Sequence, residues 1–149
     1  MRYVFLRHIE QTDEGAGETT RYTYDKAGRR LRMVSGNRDV RYSYGRNGEL
    51  LRVFDNSQRL EVNYEYDALG RETRRVYGNG VRQETFYDAI GRVILIRETD
   101  SRGGLLRAEG YVYDDKGRRS HSVDEEGRIT KYEYDKQSRL SAVLYLNKL

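Results

Sequence analysis

Tyr64-Glu65-Tyr66-Asp67-Ala68-Leu69-Gly70-Arg71 is a phrase this chain writes three times. It stands again as Tyr22-Thr23-Tyr24-Asp25-Lys26-Ala27-Gly28-Arg29 and as Tyr111-Val112-Tyr113-Asp114-Asp115-Lys116-Gly117-Arg118. Degenerate copies lie between. Tyr42-Ser43-Tyr44-Gly45-Arg46-Asn47-Gly48 has Gly for Asp and is followed by Glu49. Thr85-Phe86-Tyr87-Asp88-Ala89-Ile90-Gly91-Arg92 lacks the first Tyr, and Tyr132-Glu133-Tyr134-Asp135-Lys136-Gln137-Ser138-Arg139 has Ser for Gly. The second aromatic falls at 24, 44, 66, 87, 113 and 134, in steps of 20, 22, 21, 26 and 21. Self-similarity at such a period is the mark of a repeat array.

Each unit reads as β structure. Tyr at i and i+2 puts both rings on one face of a strand, with Thr23, Ser43, Glu65 or Glu133 between them on the other. The Asp-x-x-Gly that follows has turn chemistry: Asp accepts from the backbone two residues on, and Gly supplies the left-handed conformation that closes a bulged hairpin. Return strands follow at 31–34, 50–54, 93–96 and 140–145, with poorer alternation, and 120–123 is barely apolar. A second turn closes each unit, with candidates at 13–15, 35–37, 55–57, 78–80, 100–104 and 125–127. Two six-residue strands and two short turns make about 20 residues, the observed step. The step of 26 predicts a longer hairpin loop near residues 102–106. The fold class expected is all-β: an array of six hairpin repeats of about 21 residues in a twisted, curled antiparallel sheet of twelve or thirteen strands. One repeat domain is expected over 1–149, with 1–19 a partial leading repeat and six repeats over 20–149.

Composition narrows the function. Of 149 residues, 35% are charged and only 36% hydrophobic, yet 14 Tyr and no Pro argue for order rather than disorder. With no Cys, neither a disulfide nor a thiolate metal site is available. The longest apolar run is Val93-Ile94-Leu95-Ile96, too short for a membrane helix, and the N-terminus lacks the apolar core of a secretory signal. The net charge is +4, but the 28 cations and 24 anions are interleaved, which reads as a solvated sheet face and not as a track for nucleic acid.

The Tyr-Asp-x-x-Gly-Arg units resemble the YD repeats of the RHS family, which includes bacterial polymorphic toxins, components of insecticidal toxin complexes and the teneurins. The resemblance covers residues 20–149. It implies a β-sheet strip that spirals into a hollow shell, which in the bacterial members encloses a toxic C-terminal domain, and a secreted or cell-surface location. The Pro- and Gly-containing core segment linked to self-cleavage in the bacterial shells has no counterpart in this Pro-free chain. No cleavage residues are carried over.

The site residues expected are therefore those of the structural motif, namely the Tyr, Asp, Gly and Arg positions quoted above, and no catalytic, cofactor-binding or metal-ligating residue is assigned. His8 near Glu10 and His121 near Asp124 lack metal-ligand spacing. Ser120-His121-Ser122 with Asp124 has the letters of a triad, but a triad is a geometry and not an adjacency. Asp-x-x-Gly lacks the further acids of a calcium loop, and no helix follows Gly78-Asn79-Gly80 to hold a phosphate. Five Asp/Arg pairs in equivalent positions suit turns better than catalysis.

A non-enzymatic structural segment is the function expected, with neighbouring repeats as partners and, by the resemblance, an enclosed toxin domain. The alternative is a carbohydrate-binding or adhesion module using the Tyr/Arg face. Three structural expectations follow. Gly28, Gly70, Gly91 and Gly117 should have positive φ. Tyr22, Tyr24, Tyr64, Tyr66, Tyr111, Tyr113, Tyr132 and Tyr134 should be buried, more so than Thr23, Glu65, Val112 and Glu133, each worth several kcal/mol. The aromatic face should be covered, by tight curling or by a second copy, giving a homodimer through the Tyr face or an end strand at 2–9 or 140–146.

Overall fold

The computed structural model describes residues 7–13 and 18–146, with side chains from residue 19 onward. The described residues form strands and turns, with no helix. Two compact units divide at Gly78 and Asn79. The first holds β1 (Arg7–Asp13), β2 (Glu18–Tyr24), β3 (Arg30–Ser35), β4 (Arg38–Tyr44), β5 (Leu50–Asp55), β6 (Leu60–Tyr66) and β7 (Glu72–Tyr77). The second holds β8 (Arg82–Tyr87), β9 (Val93–Thr99), β10 (Leu105–Tyr113), β11 (Arg119–Asp124), β12 (Ile129–Tyr134) and β13 (Leu140–Leu146). Within each unit every strand pairs antiparallel with the next in sequence, a plain meander.

The register has one recurring irregularity. Tyr24 faces Arg30 while Thr23 faces Arg32, so Leu31 has no partner. The same shift strands Leu51, Thr73, Ile94, Ser120 and Ser141 opposite the other Tyr pairs. Each is a β-bulge beside the turn, and an extra residue in one strand flips everything after it to the other face. This is why the return strands alternate poorly in the sequence. Once the bulge is allowed for, Met33, Val40, Val53 and Val62 share the face of Tyr22, Tyr42 and Tyr64.

The Tyr register is as expected, but the depth of burial is not. Ser43, Glu65 and Val112 are exposed while the flanking Tyr are half-buried; Thr23 and Glu133 are half-buried as well. Among the described residues only Val40, at 4% exposure, is a buried hydrophobic; Asp55 and Ser122 are the buried polar ones. No second layer covers either face within a unit, so the tyrosines rest on their lateral neighbours. The rings are thus half-buried, more so than Glu65 and Val112 but in the same class as Thr23 and Glu133.

The longer step is not a longer loop, as expected near 102–106, but a longer strand beside an ordinary turn. Asp100–Gly104 forms the turn, β10 extends to nine residues, and a second bulge lies between Leu105 and Arg107. Of the expected end strands, 140–146 is β13, whereas 2–6 and the turn at 14–15 lie outside the described residues.

Candidate functional site

The motif turn is held by one carboxylate. Asp67 Oδ1 accepts from the amides of Leu69 at 2.9 Å and Arg71 at 3.0 Å, and Oδ2 accepts from Arg71 Nε at 2.6 Å. The Gly70 amide closes the turn on the Asp67 carbonyl at 3.0 Å, and the Asp67 amide returns to the Arg71 carbonyl at 2.9 Å. The same set recurs at Asp25/Arg29, Asp88/Arg92, Asp114/Arg118 and Asp135/Arg139. The Arg amide is the chief reason that Asp25, Asp67, Asp88 and Asp135 are held below the ordinary carboxylate range, since it donates only to the charged form's advantage. Gly28, Gly70, Gly91 and Gly117 have φ of +78°, +77°, +88° and +77°, and Ser138 holds the same turn at +63°.

The turns expected at 100–104 and 125–127 are built in the same way. Asp124 accepts from the amides of Glu126 and Arg128 and from Arg128 Nε, and Asp100 accepts from Arg102 and Gly104. The signal was legible as Asp124-x-x-Gly127-Arg128. No Tyr pair precedes it.

The Arg of one turn then reaches the next repeat. The guanidinium of Arg29 lies 4.9 Å from the ring centre of Tyr44, Arg92 4.4 Å from Tyr113, and Arg118 4.5 Å from Tyr134. Those tyrosines donate their hydroxyls to backbone carbonyls of the preceding hairpin: Tyr44 to Arg30 at 2.9 Å, Tyr113 to Val93 at 2.6 Å and Tyr134 to Arg119 at 2.8 Å. Tyr66 does the same to Leu50 at 2.8 Å. Each acceptor sits just before the bulge residue, where the ladder is interrupted. A carbonyl beside a bulge needs a partner, and the next repeat supplies it. The first Tyr is covered within its own repeat: Arg30 lies 4.4 Å from the ring centre of Tyr22, Arg75 5.7 Å from Tyr64 and Arg119 4.0 Å from Tyr111. Burial in turn pushes the Tyr44, Tyr64, Tyr66 and Tyr111 hydroxyls above their ordinary range.

The outer face of the first unit is laced with charge pairs: Arg32 with Asp39, Arg52 with Glu61 and Arg74 with Glu65. His121 and Ser122 fall on opposite faces; Ser122 is buried with its hydroxyl 3.3 Å from that of Tyr132, and Asp124 is engaged by Arg128. Side chains near His8 lie outside the described residues. Among the described residues no three His, Asp or Glu side chains gather as a metal-holding group, and no helix is long and apolar enough to cross a membrane.

The RHS repeat family profile matches residues 7–40 and 113–147. Two segments of the chain thus carry RHS repeats. Among solved structures it is similar to a TcdB2-TccC3-Cdc42 chain, with a TM-score of 0.75 at 19% identity, covering 93% of this chain and 8% of that one. A TcdB2-TccC3 structure without its hypervariable C-terminal region matches likewise, with a TM-score of 0.75 at 18% identity. At this identity the likeness is one of fold. A curated relative, the tRNA3(Ser)-specific nuclease WapA of Bacillus spizizenii, is 26% identical in an alignment 130 residues long that covers 72% of this chain and 6% of that protein. The RHS-repeat chain thus spans less than a tenth of the length of these relatives.

Proposed function

We propose that this chain is a non-enzymatic scaffold segment of an RHS-type shell that encloses or presents a toxin or surface domain, in a secreted or cell-surface protein. One observation carries the reading. At Asp25/Arg29, Asp88/Arg92 and Asp114/Arg118 the motif is spent on the fold: Asp on its turn, Arg on Asp and on the next Tyr, and that Tyr hydroxyl on the neighbouring backbone. No motif side chain is left poised for a reaction, and repeating the relay gives a surface that extends by one hairpin at a time. The Tyr, Asp, Gly and Arg positions named from the sequence are proposed as its structural determinants. The half-exposed Tyr face is then covered by further repeats of a longer chain or by its contents.

The test has two arms. Variants with one repeat added or removed should change unfolding free energy by a constant increment, because coupling is between nearest neighbours. The chain should also neither cleave RNA nor bind a glycan array. RNA cleavage lost on substituting a motif Asp would overturn the scaffold reading. Saccharide binding lost with Tyr22→Ala would favour the adhesion module instead. Light scattering separates coverage by a second copy from a monomer.

A further inference from the structure

Tyr66 breaks the pattern of its counterparts. Its hydroxyl staples to the Leu50 carbonyl at 2.8 Å, as the others do. Yet the residue that should send a guanidinium onto its ring is Glu49. Glu49 folds back over Gly45, in the space that a motif Asp side chain fills elsewhere; a Cβ at Gly45 would land on its carboxylate. Its Oε2 is closed off from solvent and has no hydrogen-bond partner.

The consequence shows at the next turn. Where the motif Arg is present, it also touches the turn glycine of the following repeat: a Cβ at Gly48 would meet Arg29 Nη1 at 3.4 Å, and one at Gly117 would meet Arg92 Nη1 at 3.8 Å. A Cβ at Gly70 would meet nothing within 4 Å. The space is a cavity of about 440 Å³ lined by Asn47, Gly48, Glu49, Tyr66, Asp67 and Gly70. Asp67 is already engaged by Arg71. The cavity thus joins an electron-rich ring to a carboxylate with one unpartnered oxygen, between two turns whose counterparts are spaced by a guanidinium.

We propose that this cavity seats the guanidinium of an arginine side chain from a partner polypeptide, stacked on Tyr66 and paired with Glu49. The seat supplies from outside what Arg29, Arg92 and Arg118 supply within the chain. Arginine fits better than lysine because a planar, weakly hydrated cation can lie on a ring and pair with a carboxylate at once. The inference stands apart from the scaffold reading, since it rests on one departure from the motif.

The test is an NMR titration with N-acetyl-arginine amide, following the Tyr66 ring signals, with the neutral isostere N-acetyl-citrulline amide as comparison. Saturable shifts centred on Tyr66 are expected with the arginine compound, at least about tenfold weaker with citrulline and about fivefold weaker in Glu49→Gln. Gly45→Asp with Glu49→Arg, which writes the full motif and fills the seat, should abolish them. Equal response to citrulline, an unmoved Tyr66 or undiminished binding by the double variant would overturn the proposal. Glu49→Gln is nearly isosteric and keeps the test valid should the double variant fail to fold.

Discussion

Positions 45 and 49 should be strongly coupled in stability. Gly45 does not use the left-handed backbone region, so a side chain is conformationally permitted there. Gly45→Asp alone drives a carboxylate into that of Glu49 and should destabilise by about 1 kcal/mol through crowding and like charge. Glu49→Arg alone can stack on Tyr66 but finds no Asp to anchor it, a gain of about 0.5 kcal/mol. The double variant recovers the whole turn. Its Asp can accept from the amides of residues 47 and 49 and from the new guanidinium, as Asp67 does. Hydrogen bonds at about 0.5–1 kcal/mol each, the ring stack and the smaller entropy of an unfolded chain without that Gly add up to about 3 kcal/mol. Exposure of the turn reduces this to about 2 kcal/mol. The single variants predict a net loss of about 0.5 kcal/mol if additive, so the coupling is about 2.5 kcal/mol. Urea unfolding of all four proteins at constant m-value measures it. Additivity within about 0.5 kcal/mol would refute the account of Glu49 as occupant of the Asp place.

Tyr113→Phe removes the hydroxyl that serves the Val93 carbonyl at 2.6 Å and should cost about 1 kcal/mol in urea unfolding, whereas Tyr145→Phe, on a side chain 81% exposed, should cost nothing measurable. Gly70→Val meets no atom within 4 Å but holds φ at +77°, so the expected loss of about 1–2 kcal/mol is purely conformational; Ser138→Gly, at +63°, should gain a fraction of that. Asp25, Asp67, Asp88 and Asp135 lie below the carboxylate reference of 3.8 when folded, so the unfolded chain binds more protons in acid. Their stabilisation is present above that reference and is lost as pH falls through the lowered folded values; a urea midpoint that stayed level under acid would contradict it. Tyr44, Tyr64, Tyr66 and Tyr111 are raised above 10.0, so their contribution is complete below that pH and disappears as pH climbs through the raised folded values. Phenolate absorbance should then appear together with loss of β-sheet circular dichroism.

The fold was legible because turn chemistry is local. Asp67, Gly70 and Arg71 lie within five residues, and their mutual bonds need nothing from elsewhere in the chain. The period-two Tyr pair is equally local. A bulged turn was legible from Asp-x-x-Gly, but the unpaired residue after it was not, since Leu31, Ile94 and Ser120 have nothing in common as side chains and are set out of register by the turn they follow. The coupling between repeats was hidden for another reason. That Arg29 lies over Tyr44 and that Tyr44 bonds to the Arg30 carbonyl depends on the lateral offset of successive hairpins, about fifteen residues apart in sequence. Curling or a second copy was expected to cover the rings; the arginines that half-cover them were not foreseen.

That covering explains a feature of the composition that charge alone leaves open. The chain has 23 Arg and 5 Lys. In a single layer whose described residues include one buried hydrophobic, Val40, little stabilisation comes from a dry core. The motif cation has two tasks at once: Arg118 Nε pairs with Asp114 at 2.7 Å while the guanidinium plane rests 4.5 Å from the centre of Tyr134. A lysine ammonium is a compact, strongly hydrated point with no plane to share between a carboxylate and a ring, so it can perform one task or the other. The arginine excess is therefore a requirement of the lateral coupling. The same pairing sets a cost on any use of these cations by a phosphate chain: at Arg29, Arg92 and Arg118 the guanidinium is already laid against a neighbour's ring and held by its own carboxylate, and a polyanion would have to displace both contacts.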